Sequence, residues 1–217
     1  VSDQEFDLQM RGLAKAFEDP LVLTALEQVG PQGIAVSLLQ WSGTEDQTRA
    51  IDWHIVNDAA SAQAFAQTID ATPRFVTGGA TAIGNALDNA TNWITTNAYE
   101  GERRVIDLSG DGRANQGEAP GFARARALAR GITINGLAIL NEEPRLAQYF
   151  AAGVVGGPSY FLLSANDYED FARAIRKKLF FEITGPPIVY RPEGAPEHFA
   201  VEPQDPPGLV KNSGNSG

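Results

Sequence analysis

The chain has 217 residues, 43% of them hydrophobic, which suits one domain with a full core. Its net charge of -10 and pI near 4.7 argue against nucleic acid and anionic membranes as partners. It has no cysteine, which excludes disulfides, thiolate catalysis and Cys-based zinc sites. The two histidines, His54 and His198, are far apart in sequence, so any metal would be held by oxygen. No apolar run is long enough to span a bilayer. There is no signal peptide and no initial Met, so the missing targeting sequence does not imply a cytoplasmic home.

The elements follow in chain order. Ser2 and Glu5 read as a capping box. Phe6, Met10, Leu13 and Phe17 recur at helical spacing behind it. Pro20 ends this helix, and residues 21–27 form a short second piece. Residues 34–41 are apolar nearly throughout and read as a buried strand. A short polar turn leads to a second strand at 48–56, which predicts a hairpin and an antiparallel edge. His54 lies in that strand and reads as an edge-strand residue, not a ligand.

Asn57 or Asp58 caps a helix whose inner face is Ala62, Phe65, Ala66 and Ile69. A Gly- and Thr-rich loop, 72–80, precedes a helix with Ile83, Leu87, Ala90 and Ile94 on one side. Residues 104–108 form the central strand. A helix over 120–130 follows, with Phe122, Ala125 and Ala129 expected inward and Pro120 in its first turn. A buried strand at 132–140, a short helix at 142–151 and a strand at 160–163 come next. Asp167 starts the closing helix, whose apolar face is Phe171, Ile175, Leu179 and Ile183. Its Arg176, Lys177 and Lys178 are expected to complement the helix dipole. From Gly185 to Gly217 the chain is rich in Pro, Gly, Asn and Ser and reads as a disordered tail. Strands alternating with helices predict an α/β, doubly wound (Rossmann-like) fold over 1–184. Its sheet is expected to be mostly parallel, with one antiparallel edge strand.

Ser109-Gly110-Asp111-Gly112 is the stretch on which the chemistry turns. Asp111 sits just past the carboxyl end of a strand, the edge where open α/β sheets bind ligands. A carboxylate there suits a hard cation such as Mg2+ or Ca2+. Asp-Gly is also ordinary turn chemistry, so Asp111 as a turn cap is the competing reading. Asp107 lies within the strand and reads as a local hydrogen-bond acceptor. A nucleophile elbow would need Gly at positions 107 and 111, and both are Asp. A P-loop would need a lysine that residues 78–84 lack, and no Gly-x-Gly-x-x-Gly follows a strand. What remains is Thr81, at a loop entering a helix, and Asp111. In a doubly wound fold both can reach one sheet edge, where a hydroxyl and a carboxylate are oxygen ligands for a divalent cation.

Gly78-Gly79-Ala80-Thr81-Ala82-Ile83-Gly84-Asn85-Ala86-Leu87 resembles the Gly-Gly-Thr-x-Ile-Gly-x-Ala-Leu segment of von Willebrand factor type A domains, with one extra residue beside the glycines. Residues 105–112 resemble the family's strand ending in Thr-Asp-Gly. More narrowly, residues 34–43, 103–112, 131–137 and 171–183 together resemble DUF1194, a bacterial family of that fold. The resemblance spans about 1–184.

It implies a metal-ion-dependent adhesion site with Thr81 and Asp111 as metal ligands. The cation would be Mg2+ (or Ca2+/Mn2+) in the intact protein. It also implies a non-catalytic, protein-binding role in which a partner's acidic side chain fills the metal's open position, and an exported or periplasmic location. The competing function is a Mg2+-dependent hydrolase or phosphotransferase using Asp111. The family's third metal loop, Asp-x-Ser-x-Ser, ends a first strand, whereas this sequence starts at the following helix. The resemblance therefore implies an N-terminally truncated domain that binds metal weakly. The central position between the strands at 34–41 and 104–108 is expected to be either an open slot or collapsed.

Overall fold

The computed structural model describes residues 1–185, so the expected tail, apart from Gly185, lies outside the described residues. Ser2 forms the capping box with Glu5 and starts helix α1, Asp3–Phe17. Asp19 caps α2, Pro20–Val29, whose proline occupies the first turn. Strands β1, Ile34–Trp41, and β2, Gln47–Val56, form the expected antiparallel hairpin. Asp58 caps α3, Ala59–Ala71. Helix α4 spans Ile83–Thr96 and β3 spans Arg104–Gly110. Then follow α5, Pro120–Ala129, β4, Ile132–Ile139, and α6, Leu146–Gly153. Strand β5, Leu162–Ala165, precedes α7, Tyr168–Thr184, which Asp167 caps.

Strands β3, β4 and β5 form a parallel sheet in that order. All eight residues of β4 are buried, because helices cover both faces of the sheet. On one face α1, α2, α3 and α7 pack around Phe17, Leu26, Phe65, Leu137 and Phe171. On the other, α4, α5 and α6 pack around Ile83, Leu87, Ile134 and Phe150.

Five local expectations are corrected. Phe122 is exposed, and Ala123 and Ala127 face inward in place of Ala125 and Ala129. Small residues let α5 approach α4 and β4 closely, while Arg126 binds Asp88 and Glu118 outside. Helix α6 starts later than expected because Pro144 biases Glu143 away from helical backbone. β5 also starts later, since the Phe161 N–H donates to the Asn135 Oδ1 side chain. Finally, Lys178 is not a solvated dipole complement: it is fully buried and paired with Asp107 and Glu182. Asp107, expected to be a local hydrogen-bond acceptor, is accordingly an ion-pair partner of α7.

The sheet is split. Among the described residues no ladder joins β1 to β3. Between them lies a cavity of about 1000 Å³, lined among others by Val36, Leu38 and Gln40 of β1 and by Val105, Asp107 and Ser109 of β3. The two strands run the same way across it. Trp41 ends β1, and a Cβ added at Gly110, which ends β3, would lie 3.8 Å from the Trp41 ring. Of the two outcomes expected for the central position, the open slot is the one observed. Each buried backbone group left without a partner at such an edge costs about 1–3 kcal/mol.

A candidate cation site at the carboxyl edge of the sheet

Asp111 follows β3 at the mouth of the slot. Its Oδ2 accepts a hydrogen bond from the Tyr168 hydroxyl at 2.7 Å and lies 3.6 Å from the backbone nitrogen of Val1. Burial, followed by the bond to Asp111, raises the Tyr168 phenol above its ordinary value. Tyr168 therefore remains a donor at neutral pH and fixes the Asp111 carboxylate.

Thr81 lies just before Ala82, the N-cap residue of α4. Its N–H donates to Asn115 Oδ1 at 2.8 Å, and its carbonyl accepts from the Asn115 N–H at 3.0 Å. Asn115 belongs to the loop after Asp111, so this reciprocal pair joins the two loops. A Cβ added at Gly112 would meet Thr81 Oγ1 at 3.8 Å. Thr81 and Asp111 thus share one edge and line the same cavity.

Ser42, at the end of β1, holds the glycine loop in place. Its Oγ lies 2.7 Å from the Gly78 carbonyl and 2.8 Å from that of Ala80, and its own carbonyl accepts from the Ala82 N–H at 2.7 Å. A Cβ at Gly78 would lie 3.1 Å from Ser42 Oγ and 2.8 Å from Asp46 Oδ2, so glycine allows this approach without displacing either side chain. Arg74 fixes the start of α1. Its Nη1 binds Asp3 at 2.6 Å, its Nη2 donates to the Val1 carbonyl at 2.8 Å, and it stacks over Phe6.

Deeper in the slot, Lys178 pairs with Asp107 and lies 3.5 Å from Glu182. Asn135 Nδ2 donates to Glu182 Oε1 at 2.5 Å. Burial outweighs the pull of Lys178 and pushes the Glu182 carboxyl up to about 7.

Tyr168, Arg74 and Asn115 escaped the sequence reading, and Lys178 was read there only as a complement of the helix dipole. Each acts across a long stretch of chain, and none has a local signature. Only Ser42 carried a signal, since it lies in the 34–43 stretch that carries part of the family resemblance. His54 is exposed, with Nδ1 2.8 Å from the Asp52 carbonyl in its own strand. Among the described residues no three His, Cys, Asp or Glu side chains gather as a metal-holding group.

The helix-covered parallel sheet, its antiparallel hairpin edge and the three loops meeting at its carboxyl end define a von Willebrand factor type A-like domain. Solved structures share this fold. Proximal thread matrix protein 1 from the mussel byssus, in a form with a zinc-occupied MIDAS motif, matches at TM-score 0.59 and 16% identity over 84% of this chain and 44% of its own. The pilus adhesin SpaC from Lactobacillus rhamnosus GG matches at TM-score 0.56 and 12% identity over 84% of this chain and 28% of its own. The chain belongs to the family described as protein of unknown function (DUF1194), whose profile matches residues 1–187. It spans less than half the length of the mussel and Lactobacillus proteins. No curated protein matches it significantly.

Proposed function

We propose that the carboxyl edge around Thr81 and Asp111 is a divalent-cation-dependent protein-binding site in the intact protein. The observation that carries this reading is the joining of the two loops by Thr81 and Asn115, with Thr81 and Asp111 lining the same cavity. Both donors are hard oxygens, as Mg2+, Mn2+ and Ca2+ prefer. They fit such a cation in kind and fall short of it in number, since Mg2+ needs six ligands in near-octahedral array. Water, the Asp-x-Ser-x-Ser loop implied by the resemblance, and a partner's carboxylate would supply the others.

Thr81 and Asp111 would hold the cation, Tyr168 would orient Asp111, and the cation would supply a Lewis-acidic position for an acidic side chain. The mussel protein, whose motif takes zinc, supports a divalent metal at this place in the fold. The role is binding, not catalysis. An exported or periplasmic location is part of the same proposal.

Calorimetric titration with Mn2+ tests it. The 217-residue chain is expected to bind weakly, and a polypeptide that also carries the first strand and its loop tightly. Asp111→Ala should abolish the tight binding. Tight, Asp111-dependent binding by the 217-residue chain itself would refute the ligand count. Mg2+-dependent turnover of phosphate or carboxyl esters, lost in Asp111→Ala, would refute the non-catalytic role.

A further inference from the structure

The geometry points to a second cation site, one for Ca2+, where the turn after β1, the glycine loop before α4 and the loop after β3 converge. Its protein ligands are Asp46, Gln116, Ser42 and one of the two carbonyls that Ser42 meets. The site shares no side chain with the Thr81–Asp111 edge and does not rest on that reading.

Three observations carry it. First, the converging atoms are oxygens. The place where a Gly43 Cβ would stand lies 2.8 Å from Asp46 Oδ2 and 2.8 Å from Gln116 Oε1. The place where a Gly78 Cβ would stand lies 2.8 Å from the same Asp46 oxygen and 3.1 Å from Ser42 Oγ. One carboxylate oxygen thus borders two glycines, each of which also borders a second side-chain oxygen. A side chain at either glycine would fill the space between those oxygens.

Second, protons are fewer than acceptors. Ser42 is buried, and its Oγ lies 2.7 Å from the Gly78 carbonyl and 2.8 Å from that of Ala80. A hydroxyl has one proton, so it serves only one of the two. Gln116 presents its oxygen, since Oε1 accepts from the Thr44 N–H at 3.0 Å. Among the described residues no N–H or O–H donates to the Asp46 carboxylate and no cation pairs with it. Oxygens gathered with too few protons repel one another, and a hard cation among them replaces that repulsion with ligation.

Third, the chain holds these ligands without help from an ion. The Ser42 N–H donates to the Asp46 carbonyl at 2.9 Å and the Asp46 N–H to the Gly43 carbonyl at 3.3 Å, which closes the turn that presents Asp46. Gln116 is fixed by Thr44, and its neighbour Asn115 by Thr81.

The donor set selects the ion. One carboxylate with amide, hydroxyl and carbonyl oxygens, spread over separate segments, suits Ca2+, which takes about six to eight oxygens in a flexible geometry. Mg2+ demands a near-octahedral shell and keeps most of its waters. Asp46 is exposed, so the ion has an entry path and water completes its shell. A single carboxylate sets the affinity at the weak end of Ca2+ sites, a Kd of roughly 10⁻⁴–10⁻³ M. Bound there, Ca2+ ties the hairpin turn, the glycine loop and the loop after β3 together.

The test is a CaCl2 titration of the 217-residue chain followed by backbone amide NMR. Amides of residues 43–46, 78–80 and 116 should shift together and saturate by about 20 mM Ca2+, well above the expected Kd. Asp46→Asn keeps the shape and removes the charge, and should weaken binding by about tenfold or more. Gly78→Ala sets a methyl 2.8 Å from Asp46 Oδ2 and should weaken it as well. Asp111→Asn, which disables the other candidate site, should leave these shifts in place, so the two readings fail separately.

Three results would overturn the proposal. One is no saturable shift at those residues by the end of the titration. Another is a titration unchanged in Asp46→Asn. The third is loss of the shifts in Asp111→Asn, which places the only cation at the Thr81–Asp111 edge. If Asp46→Asn does not fold, Gln116→Ala takes its place: it should weaken binding, and an unchanged Kd overturns the site.

Discussion

Replacing Lys178 by methionine should unfold this domain far more readily at pH 8 than at pH 5. Lys178 is fully exposed to nothing but protein: its relative accessibility is 0%, and it faces Asp107 and Glu182. Methionine keeps the bulk of the side chain and removes the charge. At pH 8 both carboxylates then stand without their cation in a largely buried place, and breaking a buried pair costs about 3–5 kcal/mol. With a urea slope of about 2 kcal/mol/M, the unfolding midpoint should fall by about 2 M. At pH 5 Glu182 is protonated in the folded protein, because burial holds its carboxyl at about 7, so the loss should be smaller.

The same carboxyl gives the parent chain a pH dependence of defined sign. Raising a carboxyl from 4.5 to about 7 on folding contributes about 3 kcal/mol, fully present below pH 4.5 and lost as pH rises through about 7. Glu182→Gln should flatten that slope. Urea unfolding followed by circular dichroism at both pH values measures all three proteins. A Lys178→Met loss below about 0.5 kcal/mol at pH 8, the level of an ordinary surface change, would refute the buried-pair account.

Other substitutions probe the edge and the packing. Arg74→Ala should cost about 1 kcal/mol and speed amide exchange at the start of α1, since it removes the clamp on Val1 and Asp3; unchanged exchange there would exclude the clamp. Gly84→Ala places a Cβ 2.5 Å from the Glu118 carbonyl and should lower stability by about 1–3 kcal/mol in thermal unfolding. Phe122→Ala should stay within about 0.5 kcal/mol of the parent, because Phe122 is exposed, whereas Ala123→Leu should cost about 1–3 kcal/mol in the same assay. Equal effects of those two would reverse the assignment of the buried face of α5.

The sequence by itself determined the order of elements, the caps and the fold class. Ser2, Asp58 and Asp167 mark helix starts because a side chain there meets a backbone N–H within three residues, a relation that local sequence records. The apolar run at 132–140 marked a buried strand for the same local reason, whereas the run at 34–41 marked a strand that is only half-buried, because one edge borders the open slot. Thr81 and Asp111 could be singled out because each lies in a loop beside the end of an element, and such positions fall on the sheet's carboxyl edge. The tertiary structure alone decided who stands beside them. Tyr168 reaches Asp111, Asn115 reaches Thr81, and Lys178 reaches Asp107, each across a sequence separation that no periodicity spans. It also decided the face of α5, where close helix approach favours alanine over the larger Phe122. The choice between an open and a collapsed slot was tertiary as well. It depends on whether helices packed on both faces hold β1 and β3 apart, and that balance of packing against unpaired backbone is written in no single stretch of the chain.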